Sequence, residues 1–169
     1  MPPDEVIDLK PFSLSQVGTP QPLVLPEHFH TTDKIDFRDI RGKKFYIHHT
    51  IYGNDSRTQA NYGVFWIAPF VGTVTEIREV HQTAESTAIT AELQIEKLTG
   101  TQALDAGVAL LSTAFNLKGV ANTVNTGTLT TTLANLNFER GNRLAMDDNF
   151  SAALTESVNV TVIIEVTVN

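Results

Sequence analysis

Val158-Asn159-Val160-Thr161-Val162-Ile163-Ile164-Glu165-Val166-Thr167-Val168 is the stretch that decides the fold. Successive side chains of a β-strand leave on opposite faces, so alternation of apolar and polar residues marks a strand with one buried side. Here Val158, Val160, Val162, Ile164, Val166 and Val168 share one face. Asn159, Thr161, Glu165 and Thr167 share the other, with Ile163 as its single apolar member. Nearly every residue on the first face is β-branched, which suits a pleated sheet and disfavours a helix.

Working outward, the same pattern recurs. Ile89, Ala91, Leu93 and Ile95 alternate with Thr90, Glu92, Gln94 and Glu96. Thr73 to His81, opened by Gly72, alternates imperfectly, as expected of a strand with a bulge. Gly63-Val64-Phe65-Trp66-Ile67-Ala68 is continuously apolar and reads as a buried strand ended by Pro69. Lys43 to Thr50 is rich in aromatic and β-branched residues, and two further strands are expected at 127–133 and 143–147. Turn signals lie between these runs at Asp105-Ala106-Gly107, Asn125-Thr126-Gly127 and Arg140-Gly141-Asn142. Only Asp105 to Leu117 invites a helix, through Val108, Leu111 and Phe115. Seven or eight short strands with regular turns predict an all-β fold, an antiparallel β-sandwich of jelly-roll type.

The N-terminal fifth differs. Six of the chain's seven prolines, Pro2, Pro3, Pro11, Pro20, Pro22 and Pro26, fall before residue 35. Proline fixes φ and lacks a backbone donor, so this stretch resists helix and central strand alike. We divide the chain into an extended Pro-rich N-terminal arm, residues 1–35, and a sandwich body, residues 36–169. Free linkers are polar, whereas this arm carries apolar residues at intervals. Leu9, Phe12, Leu14, Leu23 and Leu25 are therefore the candidate partner-binding anchors.

Composition narrows the function. The 169 residues carry 12 basic and 19 acidic side chains, a net charge of -7, which argues against a nucleic-acid binder. The absence of cysteine excludes disulfides, thiolate metal sites and cysteine nucleophiles. No apolar run is long enough for a membrane helix, and no signal-peptide h-region precedes the arm. The chain lacks a phosphate-binding glycine loop, a nucleophile elbow and the H-E-x-x-H pattern.

What remains is sparse. His28 and His30 could face one way on a strand, with His81 as a more distant partner, but a third ligand at metal spacing is missing. His48 and His49 alternate faces. Asp147-Asp148-Asn149 follows an expected strand and has the composition of a Ca²⁺-binding loop or of an ordinary Asx turn. Tyr62, Phe65, Trp66 and Phe70 are either core or a sugar-stacking platform. Arg38, Arg41, Lys43 and Lys44, interleaved with Asp36 and Asp39, read as a solvated ion-paired segment. Neither an enzyme nor a cofactor or metal site is expected.

Several segments also carry a resemblance. Tyr62-Gly63-Val64-Phe65-Trp66-Ile67-Ala68-Pro69, Gly72-Thr73-Val74-Thr75 and Leu93 to Thr101 are three of them. Leu110 to Gly119 and Arg140-Gly141-Asn142-Arg143-Leu144-Ala145-Met146-Asp147 complete the set. With these, residues 61–169 resemble small β-sandwich proteins from the structural gene clusters of tailed bacteriophages, in particular proteins that decorate or cement the capsid exterior. The resemblance implies a non-enzymatic virion protein, made in the host cytoplasm and seated on the capsid outer surface. Its partners would be the major capsid protein and further copies of itself, as a trimer or, less favoured, a dimer, with no membrane or nucleic acid. The alternatives are a tail, baseplate or head-fibre component, or a carbohydrate-binding module using Trp66 and Tyr62.

Overall fold

The computed structural model describes residues 40–52, 63–152, 154 and 158–169. The proposed arm, its boundary with the body and Tyr62 lie outside the described residues. The described elements are β1 (Lys44–Ile51), β2 (Gly63–Ile67), β3 (Gly72–His81), β4 (Ala91–Leu98), β5 (Val108–Ala109) and β6 (Phe115–Asn116). After them come β7 (Asn125–Thr126), the single-turn α1 (Leu133–Leu136), β8 (Asn137–Phe138), β9 (Arg143–Phe150) and β10 (Val160–Val168).

These strands form two antiparallel sheets packed face to face, an all-β sandwich. Sheet one runs β1-β10-β3, with β7 and β8 sharing the far side of β3. Sheet two runs β2-β9-β4, with β5 and β6 sharing the far side of β4. The chain changes sheet on passing from β1 to β2, β2 to β3 and β3 to β4, and changes again around β7, β9 and β10. Neighbours in each sheet are therefore mostly distant in sequence.

The decisive stretch lies at the centre of sheet one. β10 pairs with β1 from Lys44↔Thr167 to Ile51↔Val160 and with β3 from Val160↔His81 to Val168↔Gly72. Its five inward residues, Val160, Val162, Ile164, Val166 and Val168, are all buried. At about 1.5–3 kcal/mol for each side chain, that face contributes roughly 8–15 kcal/mol gross, comparable with the net stability of a whole domain. Opposite it lie Leu93 and Ile95 of β4 and Leu144, Met146 and Phe150 of β9, in the same core cluster.

The bulge expected in β3 is present. Glu165 opposes Glu76 while Val166 opposes Val74, which leaves Thr75 as the extra residue. The bulge explains why alternation along Thr73–His81 is imperfect: inward positions are Val74 before it and Ile77, Glu79 and His81 after it.

Four expectations need correction. Asp105–Leu117 is not a helix. It is a looping segment with turns around β5 and β6, held along the far side of β4 by side chains of β4. The Glu96 carboxylate accepts from the Asp105 and Gly107 N–H groups at 2.9 Å each, and the Gln94 amide bonds both backbone groups of Leu111 at 3.1 Å. The apolar residues that imitated helical spacing, Leu111 and Phe115, are buried by a folded loop. Residues 127–133 form no strand either. Leu129 makes one isolated bridge with Leu111, and Leu133 already begins α1. The Gly63–Ala68 run is an edge strand, with Val64 and Ile67 exposed, because the pairing with β9 shifts between Val64 and Trp66. Asp147-Asp148-Asn149 lies inside β9 and alternates faces, so it is no cation-binding loop.

Candidate functional surfaces

The strand order places three polar or apolar clusters that the core does not require. The first is on the outer face of sheet one. Tyr46 opposes Glu165 directly, and the bulge brings Thr75 to the same carboxylate. Glu165 accepts from the Lys44 ammonium at 2.8 Å, the Thr75 hydroxyl at 2.8 Å and the Tyr46 hydroxyl at 2.9 Å. These hydrogen bonds, Lys44 first, then Thr75 and Tyr46, hold its carboxyl down from 4.5 to about 2. The same contact raises both Lys44 and Tyr46. Arg78 pairs with Glu76 at 2.8 Å alongside. Ile163, the apolar exception in the sequence, is exposed here, next to a shallow 80 Å³ depression lined by Val80, Val124 and Thr161.

The second cluster is internal. Glu79 and His81 are two apart on β3 and so share its inward face. Both are buried, with the His81 Nδ1 atom 3.1 Å from the Glu79 carboxylate and Nε2 3.3 Å from the Gly119 carbonyl oxygen. The Asn125 amide donates to Glu79 as well. Each ring nitrogen thus faces an oxygen acceptor. The Asn122 N–H donates to the His81 carbonyl at 2.8 Å, so β3 ends in a pinned loop. His81 is a structural group here. Among the described residues no three His, Asp or Glu side chains converge to hold a metal ion. His28 and His30 lie outside the described residues.

The third cluster is a groove at the end of the sandwich where four chain segments meet. The Gly42 N–H donates to the Val168 carbonyl and the Asn169 N–H to the Val71 carbonyl. Ala68 exchanges hydrogen bonds with the 141–142 turn. Between them lies a cavity of about 260 Å³ lined by Arg41, Pro69, Phe70, Val71, Arg140 and Val168. Phe70 is held by an aromatic cluster: Phe45 at 5.3 Å, Phe138 at 5.9 Å and Trp66 at 6.1 Å between ring centroids. Trp66 also meets Phe138 edge-on at 5.2 Å. Phe65, Trp66 and Phe70 are partly buried and pack against the core.

Of the residues singled out from sequence, the anchors Leu9, Phe12, Leu14, Leu23 and Leu25 and the basic residue Arg38 lie outside the described residues. Arg41, Lys43 and Lys44 are exposed but do separate things: Lys44 joins the Glu165 cluster and Arg41 the groove. Sequence reasoning missed Arg140 and Glu79. The turn signal Arg140-Gly141-Asn142 placed Arg140 correctly, but nothing in sequence shows which chain end it meets. No helix among the described residues is long and apolar enough to cross a membrane.

Comparison with known proteins agrees with this architecture. No protein-family profile matches the sequence, and no curated protein is similar to it. Among solved structures, a chain in the capsid of Ralstonia phage GP4 shares the fold with a TM-score of 0.56 at 14% identity. The match covers 78% of this chain and 88% of that one. It extends over most of both molecules and adds independent support for the two-sheet fold.

Proposed function

We propose that the chain is a structural protein of a bacteriophage virion, and more narrowly a decoration or cement protein. In this reading it sits on the capsid outer surface, without enzymatic activity, and bridges major capsid proteins. The observation that carries the proposal is the fold shared with a chain of a phage capsid over most of both lengths. The strand order supports the jelly-roll reading. Orders β1-β10-β3-β7/β8 and β2-β9-β4-β5/β6 correspond to two four-stranded sheets once the paired short strands are counted together, as in a jelly roll.

A cement protein needs a stiff body and several weak contacts that act together through effective concentration. Lattice symmetry favours a cyclic oligomer, a trimer before a dimer. The arm, with Leu9, Phe12, Leu14, Leu23 and Leu25 as anchors, would supply extended contacts whose prolines reduce the entropy lost on docking.

The test is cosedimentation of full-length protein with capsids lacking it, with capsid thermal stability measured in parallel. The expected result is saturable binding that raises the temperature of capsid disruption. Removing residues 1–35 should weaken it. No binding to capsids at micromolar protein, or binding that leaves capsid stability unchanged, would reject the cement role. Light scattering on the same samples would decide between trimer, dimer and monomer.

A further inference from the structure

We propose that the outer edge of β1 is a dimerisation strand, which pairs antiparallel with β1 of a second copy and joins the two first sheets into one. An open sheet edge exposes a row of N–H and C=O groups, and proteins guard it with short strands, bulges, charges or proline. Most edges of this sandwich are guarded in that way. β7 and β8 beside β3, and β5 and β6 beside β4, are two residues long each. β2 has five residues, its register shifts opposite β9, and Pro69 follows it. β1 is the exception. It is eight residues long and keeps one register along β10. From Phe45 to Ile51 it holds no proline and no Lys, Arg, Asp or Glu. Among the described residues β10 is its one strand partner.

One hydrogen bond fixes which main-chain groups face outward. The Lys43 carbonyl accepts from the Val168 N–H at 3.1 Å, and in an antiparallel ladder alternate residues turn both groups to the same neighbour. Phe45, Ile47, His49 and Ile51 therefore bond β10, while Lys44, Tyr46, His48 and Thr50 present theirs to the edge. A second β1 offers the same four in reverse order. With the twofold axis at Ile47, Tyr46 meets the partner's His48 and Lys44 meets the partner's Thr50, so each outward group finds its counterpart. Charge sets the direction. Antiparallel pairing holds the two Lys44 side chains about 20 Å apart, six residues along the strand and beyond the screening length. Parallel pairing would set them side by side. Apolar surface lies on the same side. His49 stacks on Phe65 of β2 with ring centroids 5.1 Å apart, which places the β1 and β2 edges next to each other. Phe45 and Tyr46, Tyr52 just after them, and Val64 and Ile67 on β2 are five of the ten large apolar side chains exposed on the described surface. The strand this edge fits, uncharged along its length with its outward groups in reversed order, is β1 itself. A twofold pairing closes with two copies, so it selects the dimer over the trimer. The inference goes beyond the virion reading and holds whether or not the chain sits on a capsid.

The full chain is examined by sedimentation equilibrium from micromolar to near-millimolar concentration. The expected result is a concentration-dependent species of twice 18.5 kDa. In amide exchange followed by NMR, the Tyr46 and His48 N–H groups, which face away from β10, should gain protection as the dimer fills. His48→Pro removes one of these donors and leaves the ladder with β10 whole, so it should give a monomer with native circular dichroism. Thr50 reads the register. Thr50→Lys sets like charges opposite Lys44 at two symmetric places and should weaken dimerisation about fivefold, whereas Thr50→Glu should strengthen it. Both variants lose the Thr161 hydroxyl contact alike, so a merely structural effect would move them together, and this pair decides if His48→Pro folds poorly. A monomer throughout, a trimer, or a dimer that folded His48→Pro leaves intact would overturn the proposal. Equal effects of Thr50→Lys and Thr50→Glu would do the same. Capsid binding by a monomeric wild type would sink the edge pairing and leave the virion reading standing.

Discussion

Replacing His81 by leucine tests whether the internal Glu79–His81 pair is held together in the way its geometry implies. His81 is fully buried and Glu79 nearly so, with 3.1 Å between Nδ1 and the carboxylate. The substitution leaves the Glu79 carboxylate in the core with the Asn125 amide donating to it. Removing one partner of a buried hydrogen bond costs about 1–3 kcal/mol, because the other polar group stays behind without it. Neither partner reaches solvent, so water does not discount this figure as it would at the surface. Glu79→Leu should cost a similar amount by stranding the imidazole. The double variant Glu79→Leu/His81→Leu should cost less than the two singles together, since it removes both polar groups and fills the space with carbon. Urea unfolding at pH 7 measures all three. With an m-value of about 2 kcal/mol/M, each single change should lower the midpoint by roughly 0.5–1.5 M. Single-variant losses below about 1 kcal/mol, or strict additivity in the double variant, would refute the account of a coupled pair.

Three further outcomes are expected. Val162→Asp should abolish folding, because Val162 is inward on β10 directly opposite Glu79 and the new carboxylate would be buried beside another; soluble protein with native circular dichroism would show the face assignment to be wrong. Gly72→Ala should cost about 1–3 kcal/mol, roughly 3–12 °C in Tm by thermal melt, since its Cβ would come within 2.5 Å of the Phe138 ring and 2.6 Å of the Thr167 carbonyl oxygen; an unchanged Tm would mean that β3 and β8 separate freely. Glu165→Gln should destabilise at neutral pH, and the gap to wild type should close as pH falls. The Glu165 carboxyl lies at about 2 in the fold against an ordinary 4.5, so its contribution is complete above about pH 4.5 and is lost on descent towards pH 2. A gap that stayed constant from pH 6 to pH 2 would contradict the hydrogen-bonded network with Lys44, Thr75 and Tyr46.

The parts of the fold that were legible in sequence are those where one physical rule acts alone. β10 alternates, Ile163 apart, because one face is core and the other is not, and its inward valines sit where period two puts them. β4 is found for the same reason. The misreadings occur where two rules compete. In Gly63–Ile67 an apolar run implied burial on both faces, but the register shift opposite β9 turns Val64 and Ile67 outward on an edge. In Asp105–Leu117 apolar spacing imitated a helix, while the organising force is non-local, from Glu96 and Gln94 reaching across from β4 to bond the loop backbone. The groove was not legible at all. It needs Arg41, Phe70, Arg140 and Val168 together, and they come from four segments joined only by the sheet order.

The buried pair has a consequence for how the sequence selects one register. Six inward positions, two on β3 and four on β10, are nearly interchangeable branched aliphatics, Val74, Ile77, Val160, Val162, Ile164 and Val166, so hydrophobicity alone separates faces but distinguishes weakly between shifts of two residues. Glu79 and His81 break that degeneracy. Shifting β3 along β10 by two would carry His81 away from the loop that offers it the Gly119 carbonyl, and Glu79 away from Asn125 on β7. It would also move the Thr75 bulge from Glu165, which takes the Thr75 hydrogen bond only in the observed alignment. Two polar networks, one on each face of the same sheet, thus favour one alignment of β3 with β10, at positions an entirely aliphatic strand would leave unspecified. That argues for the Glu79–His81 pair as a device of specificity more than of stability. The aliphatic double variant should then remain stable while exchanging its β3 amides with solvent faster.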